Sequence, residues 1–116
     1  MRLHHVTALA LVIAAAPAAA HHGWSTYDAS KEFTLETELT SLRWANPHGG
    51  ATLQWKGETW AVTLAPITRM ETRGLKPEML KPGTKVTLVG QPRSDGTREM
   101  KIERLVLDGK TYNLMY

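Results

Sequence analysis

Apolar and polar residues alternate with a period of two along most of this chain, and no other feature restricts its fold as much. Such alternation is typical of strands with one face on a core and the other in solvent. In residues 32–44 the apolar residues are odd-numbered as far as Leu39 and even-numbered at Leu42 and Trp44. One extra residue in a strand, a β-bulge, produces this switch and bends the strand. We therefore expect a long, bent first strand.

Later strands follow the same alternation, and turn residues separate them. Lys-Gly-Glu at 56–58 indicates a hairpin, as do Ser-Asp-Gly at 94–96 and Asp-Gly at 108–109. The predicted strands after the first are residues 51–55, 59–65, 84–92, 98–107 and a C-terminal segment, 110–116.

The alternation stops at residues 66–75, which predict one short helix. Pro66 suits its first position, the apolar Ile67 and Met70 are three residues apart, and Gly74 suits its end. Strands, a helix and more strands in this order are typical of the OB barrel. We expect an all-β chain with one short helix, folded as a five- to six-stranded OB-like small barrel. An open antiparallel sheet with one helix is the alternative.

The first twenty residues have the pattern of a secretory signal peptide. Arg2 provides a positive charge, residues 6–16 are apolar, and a proline and three alanines follow at 17–20. The apolar run is shorter than the roughly 20 residues that span a bilayer, so we expect cleavage after Ala20 and no stable membrane anchor. The chain then divides into a signal peptide (1–20), an N-terminal tail (21–31) and a barrel domain (32–116).

The composition of the chain restricts which metal ligands and which binding partners it can have. The chain has no cysteine, which excludes disulfides and thiolate metal ligands. Once Arg2 leaves with the signal, 13 Lys and Arg side chains remain against 11 Asp and Glu, and they form no run. Nucleic acid is therefore not an expected partner.

The mature chain would keep three histidines, His21, His22 and His48. An N-terminal histidine offers its α-amine and its ring Nδ1 to one metal ion, and a second imidazole completes a T-shaped set of three nitrogens, the histidine brace. Such a ligand set favours Cu(II). His22 offers another chelate through the amine, its own amide nitrogen and its ring. Asp28 is a candidate outer ligand.

A non-metal interpretation of the same residues stays open. The two histidines after the cleavage site could belong to a solvated tail, and His48 could be a turn residue of Asn-Pro-His-Gly-Gly. The 12 residues from His21 to Phe33 span at most ~40 Å, and a straight first strand is roughly 35 Å long. The tail would thus reach His48 by running back along the barrel, where Trp24 and Tyr27 could pack it against the wall.

Three tryptophans suggest a second kind of site. OB barrels bind oligonucleotides or sugars around strands two and three, and Trp44, Trp55 and Trp60 fall in or near these elements. Exposed rings there could stack on a ligand. However, Trp55 shares a strand face with Leu53, and Trp60 shares one with Val62, which favours core packing.

Four segments carry a resemblance to a known family: "HHGWSTYD", "RWANPHGG", "ETWAVTLAPITRMETRGL" and "LKPGTKVTLVGQPRSDGT". Together they resemble a family of small exported bacterial proteins of unknown function. The resemblance implies a periplasmic location and brings no assigned activity. The positions that it singles out are His21, His22, Trp44, Asn46, Pro47 and His48.

We therefore expect a periplasmic metal-binding protein that holds Cu(II) through His21 for metal handling or delivery. The alternative is a metal-free OB-fold module of the cell envelope that binds a ligand or a periplasmic protein. A small copper oxygenase is the third hypothesis. No nucleophile motif or carboxylate pair stands out, and the chain is small for an oxygenase, so the residues favour a non-enzymatic role.

Overall fold

The structure is a computed structural model that describes residues 26–115. Within this range the chain forms β-strands, one α-helix (α1) and short 3-10 turns at Ala29–Lys31 and Pro77–Leu80. None of the described helices is long and apolar enough to cross a membrane. The main elements are β1 (Phe33–Arg43), β2 (Gly50–Trp55), β3 (Glu58–Thr63), α1 (Ile67–Thr72), β4 (Lys85–Pro92), β5 (Glu99–Leu107) and β6 (Lys110–Asn113).

The sheet closes on itself. Its strand order is β3-β2-β1-β4-β5-β6, and β3 also pairs with β5 in parallel from Ala61–Glu99 to Thr63–Lys101. The result is a closed five-stranded mixed barrel with β6 added beside β5. The predicted all-β, OB-like small barrel with one short helix is confirmed, and the alternative of an open antiparallel sheet is wrong.

A bulge in β1 allows that closure. Leu39 lies opposite Leu53 and Ser41 lies opposite Thr52, so Thr40 is the extra residue between them. β1 pairs with β4 from Phe33 to Glu38 and with β2 from Leu39 to Arg43, so the bulge lies at the start of its pairing with β2. The extra residue keeps apolar side chains on the core side in both halves of the strand, as the parity switch predicts.

The turns and the helix lie close to their predicted positions. The β2–β3 hairpin turns at Lys56 and Gly57, both with positive φ (51° and 76°), a backbone shape that matches the twist of the two strands. α1 is shorter than predicted, because Pro66 precedes the first helical residue and the helix ends at Thr72. Gly74, with φ 84°, then turns the chain away.

The core is filled mainly by leucine and methionine, and each end of the barrel is closed differently. At the end that follows β3, Met70 of α1 is fully buried. A Cβ built on Gly49 would lie 2.7 Å from the Met70 methyl carbon, so this glycine admits the helix. At the hairpin end, Phe33, Trp55 and Trp60 form an aromatic cluster with ring centroids 5.4–5.8 Å apart.

A second bulge bends β5 against β4. Val89 lies opposite Arg104 and Gly90 lies opposite Ile102, so Glu103 is the extra residue. A Cβ built on Gly90 would lie 2.1 Å from the carbonyl oxygen of Lys101. That contact is with backbone, which cannot rotate away, so glycine is required at this corner of the barrel.

We therefore expect Gly90→Ala to destabilise the barrel by about 1–3 kcal/mol, the usual cost of overpacking a filled interior. Thermal unfolding followed by far-ultraviolet circular dichroism measures the effect. Gly50→Ala is the matched control, because a Cβ at Gly50 meets nothing closer than 3.5 Å. Equal melting temperatures for the two variants would contradict the assignment of Gly90 as a required close approach.

Candidate functional site

The structure describes some of the predicted site residues and not others. His21 and His22 lie outside residues 26–115, and the metal hypothesis for them stays a prediction. His48 is exposed on the turn between β1 and β2. Among the described residues, no three of His, Asp and Glu come together as a metal-ligand group.

Beside His48 a groove of about 440 Å³ runs over the solvent side of β1, β2 and β3. Strand pairing arranges its floor in two rows of three residues across the sheet. We call this surface the outer groove, and its rows are Arg43–Gly50–Thr63 and Ser41–Thr52–Ala61.

The β1 bulge creates the chemistry of the outer groove. Without the extra residue Thr40, Ser41 and Arg43 would share the core face with Leu39; with it, both lie on the outer face. The bulge also gathers hydroxyl groups, since Oγ1 of Thr52 lies 2.8 Å from Oγ1 of Thr40 and 2.6 Å from Oγ of Ser41. The floor therefore carries hydroxyl groups beside small apolar residues, with a guanidinium at one end.

The stagger of the strands connects the outer groove to the start of the described chain. Around the barrel, Leu42 lies opposite Ala51, Ala51 opposite Val62, Val62 beside Met100, and Met100 opposite Pro92. The end of β1 and the end of β4 are therefore at the same level of the barrel. In any closed barrel the tilt and the stagger of the strands are linked. In this barrel the stagger places the end of β1 at the same level as the end of β4.

The N-terminal segment docks at this level. The Asp28 N–H donates to the Pro92 carbonyl (2.9 Å), and the Ser94 N–H donates to the Thr26 carbonyl (2.8 Å). Between these two hydrogen bonds, Tyr27 and Arg93 form an isolated antiparallel β-bridge. The path of residues 21–25, which the sequence predicts to run back along the barrel, lies outside the described residues. From residue 26 on, the stagger of the strands brings the segment to the level of the outer groove.

Tyr27 anchors that segment to the rim of the groove. Its hydroxyl donates to Oε1 of Glu99 (2.7 Å) and lies 3.5 Å from Oγ1 of Thr63, a residue of the groove floor. Burial raises the pKa of Tyr27, and the neighbouring Glu99 carboxylate adds to the rise. Arg93 completes the anchor, 3.4 Å from Glu99 and 5.9 Å from the centre of the Tyr27 ring. Tyr27 thus contacts the barrel wall, whereas Trp24, the other residue that the sequence offers for this packing, lies outside the described residues.

Asp28, the candidate outer ligand, has a local structural role. Its Oδ1 accepts hydrogen bonds from the Ser30 N–H (3.0 Å) and the Ser30 hydroxyl (2.5 Å), and Lys31 lies 3.7 Å from Oδ2. The hydrogen bonds from Ser30 lower the pKa of the carboxyl group. Asp28 thus caps the 3-10 turn before β1, and its role as an outer ligand stays a prediction.

The three tryptophans are not among the residues that line the outer groove. Trp44, Trp55 and Trp60 are half-buried and pack against the core, as their shared faces favoured. Trp55 stacks on Phe33 and meets Trp60 edge-on. The described structure therefore gives all three rings a packing role, and stacking on a ligand stays a prediction.

One comparison bears on these residues. A family model described as "Family of unknown function (DUF6152)" matches residues 8–101. The chain belongs to this family. The resemblance seen in the sequence is thereby confirmed at the level of an uncharacterised family. The DUF6152 match includes His21, His22, Tyr27 and every residue of the outer groove, and it ends within β5.

Sequence reasoning overlooked two residues of the site region. In the sequence Arg43 is one of several scattered basic residues. The switch of the apolar positions in β1 from odd to even numbers nevertheless indicates that Arg43 faces outward. Glu103 had no sequence signal, because it occupies the bulge of β5 and is only 7% exposed. Its carboxyl group lies beside that of Glu32 and accepts a hydrogen bond from Nε2 of Gln91. Burial, and then the neighbouring Glu32, raise the pKa of Glu103.

A carboxyl group whose pKa is raised by folding contributes most to stability when it is protonated, and that contribution is lost as pH rises through the folded-state pKa. We expect Glu103→Gln to raise the melting temperature at pH 7, because a neutral amide accepts from Gln91 and donates to Glu32 without the cost of a buried charge. Thermal unfolding between pH 4 and pH 8 should show the gain shrinking as pH falls.

The exposed Glu36→Gln on β1 is the matched control for this series and should show no such trend. A Glu103→Gln variant less stable than the parent at pH 7 would contradict the argument. So would a gain that stays constant over the whole pH range.

Proposed function

We propose that this protein is exported to the periplasm and binds a divalent metal ion, Cu(II) by preference, through its mature N-terminus, for metal handling or delivery. The observation that carries the proposal is the Tyr27 anchor. It holds the described start of the chain at the rim of the groove beside His48. Tyr27 is the sixth residue after His21, a span of at most ~20 Å.

The ligand chemistry supports copper. Cleavage after Ala20 would give His21 a free α-amine, which together with its ring Nδ1 forms a chelate. His48 is exposed, so its imidazole is open to a third bond. An all-nitrogen set of this kind favours Cu(II) over the other divalent ions of the first transition row. Because the amine and the imidazoles bind only when neutral, affinity falls as pH falls.

Export has its own support. Residues 1–20 have a positive start, an apolar run and small residues before His21. The DUF6152 match begins at residue 8, so the family pattern includes most of that apolar run. The cysteine-free composition excludes thiolate ligands for any metal.

The outer groove favours a second candidate function, a metal-free binding module of the cell envelope. Its polar floor of Ser41, Thr52 and Thr63 is a surface for a ligand that needs no metal. The two functions are compatible in one molecule, because the groove floor and the N-terminal chelate use different side chains.

The test starts from protein exported by a bacterial host. Intact mass should show a chain that begins at His21. Competitive titration with a Cu(II) chelator, followed by electron paramagnetic resonance, should then show one copper ion with nitrogen ligands. We expect His21→Ala to weaken Cu(II) binding about tenfold or more, which is about 1.4 kcal/mol or more. His48→Ala should weaken it less, and binding by the parent should weaken as pH falls, because the amine and the imidazoles bind a metal only when neutral.

Two controls separate the brace from other binding. A chain that retains Ala20 turns the amine of His21 into an amide and should lose the tight site while all three imidazoles remain. Tyr27→Phe keeps the ring but loses the hydrogen bond to Glu99, and a few-fold weaker affinity is expected if the anchor positions the chelate. A mature chain that begins elsewhere, or equal affinity in the parent, His21→Ala and His48→Ala, would contradict the proposal.

A further inference from the structure

We propose that the outer groove binds a small hydroxylated oxyanion, with Arg43 holding a carboxylate or phosphate group and the floor hydroxyls holding the ligand's own hydroxyl groups. The inference gives the second candidate function a class of ligand. It does not depend on metal binding.

Arg43 differs from the other described arginines in its partners. Between residues 26 and 115 each of the others has a carboxylate or a main-chain carbonyl at its guanidinium, whereas no ion pair or hydrogen bond joins Arg43 to a described residue. Arg43 is exposed and lines the outer groove. The partnered arginines are Arg69, Arg73, Arg93, Arg98 and Arg104.

The small residues of the floor give a ligand access to that guanidinium. Arg43 lies opposite Gly50, which has no side chain, and Gly50 lies opposite Thr63. In the next row Ala61 presents only a methyl group. The groove, at about 440 Å³, falls within the range of about 300–1,000 Å³ that small-molecule sites occupy.

The hydroxyl groups supply the second half of the recognition. Thr40, Ser41 and Thr52 make two hydrogen bonds among themselves. Each hydroxyl has one donor and two acceptor lone pairs, so at least one O–H and several lone pairs remain for a ligand. A polyhydroxylated ligand matches such a surface.

The charges near the groove are consistent with an anionic ligand. A guanidinium fork binds carboxylate or phosphate through two parallel hydrogen bonds, and such charge-assisted bonds are the stronger kind. Glu99 is the acidic group at the rim, and it is already engaged by Arg93 and by the Tyr27 hydroxyl.

One lone arginine and a floor of small residues fit a ligand the size of a monosaccharide better than a polymer. A nucleic acid would need several cations along its backbone. The class that the groove fits is therefore a sugar phosphate or a sugar acid, and these two sources of the same oxyanion chemistry can be told apart by titration.

The test uses the mature protein after removal of metal with a chelator. Isothermal titration calorimetry is run with glucose 6-phosphate, glucuronate, inorganic phosphate and neutral glucose. We expect one of the two sugar oxyanions to bind at least about tenfold more tightly than glucose. Which of them binds identifies phosphate or carboxylate as the preferred group. Arg43→Gln should weaken that binding about tenfold or more.

Two further variants sharpen the result. Lys76→Gln removes the same charge from an exposed residue outside the groove and should leave affinity unchanged. Thr52→Val removes a floor hydroxyl and should weaken the sugar oxyanion more than inorganic phosphate. Far-ultraviolet circular dichroism and melting temperature verify that each variant is folded.

Equal weakening by Arg43→Gln and Lys76→Gln would overturn the proposal, because the effect would then be one of net charge. Failure of both sugar oxyanions to bind up to about 10 mM, roughly −2.7 kcal/mol, would overturn it too. Neither result bears on the metal-binding proposal, which is tested separately by Cu(II) titration of the His21 and His48 variants.

Discussion

The bulge at Thr40 is the constraint on which the rest of this barrel depends. A single strand must pair with β4 through its first half and with β2 through its second half, and it must bend sharply between them. One unpaired residue supplies the bend and also reverses the faces, so Leu39 and Leu42 both pack toward the core. The same reversal places Arg43 outside, so the core and the outer groove have a common origin.

Closure of the barrel explains why the N-terminal segment lies at the outer groove. Because the strands are staggered, the residues paired in sequence from Leu42 through β2, β3 and β5 lead to Pro92, at the end of β4. Pro92 lies beyond the last residue of β4 that pairs with β1. The segment that precedes β1 therefore meets the end of β4, and Tyr27 reaches Thr63 across β5 and β3. The metal proposal rests on this placement, since it brings the start of the described chain to the rim of the groove that His48 lines.

The two proposals make different demands on the same surface. The metal site needs neutral imidazoles and a free amine, whereas the oxyanion site needs a cation and donors. The metal site therefore weakens as pH falls, whereas the oxyanion site depends on the guanidinium of Arg43. The two sites can thus be separated by pH and by substitution of Arg43.

Sequence alone predicted the order of the strands and the helix, the bulge in β1 and an OB-like barrel as the preferred fold, because these depend on local periodicity and on turn residues such as Gly57 and Gly74. It also predicted that the tryptophans pack against the core. Tertiary structure alone decided closure of the barrel through the parallel pairing of β3 with β5, the burial of Glu103 and the lack of an ion pair at Arg43 among residues 26–115. Those features depend on which residues from distant segments come to lie side by side, and that register is set by barrel closure.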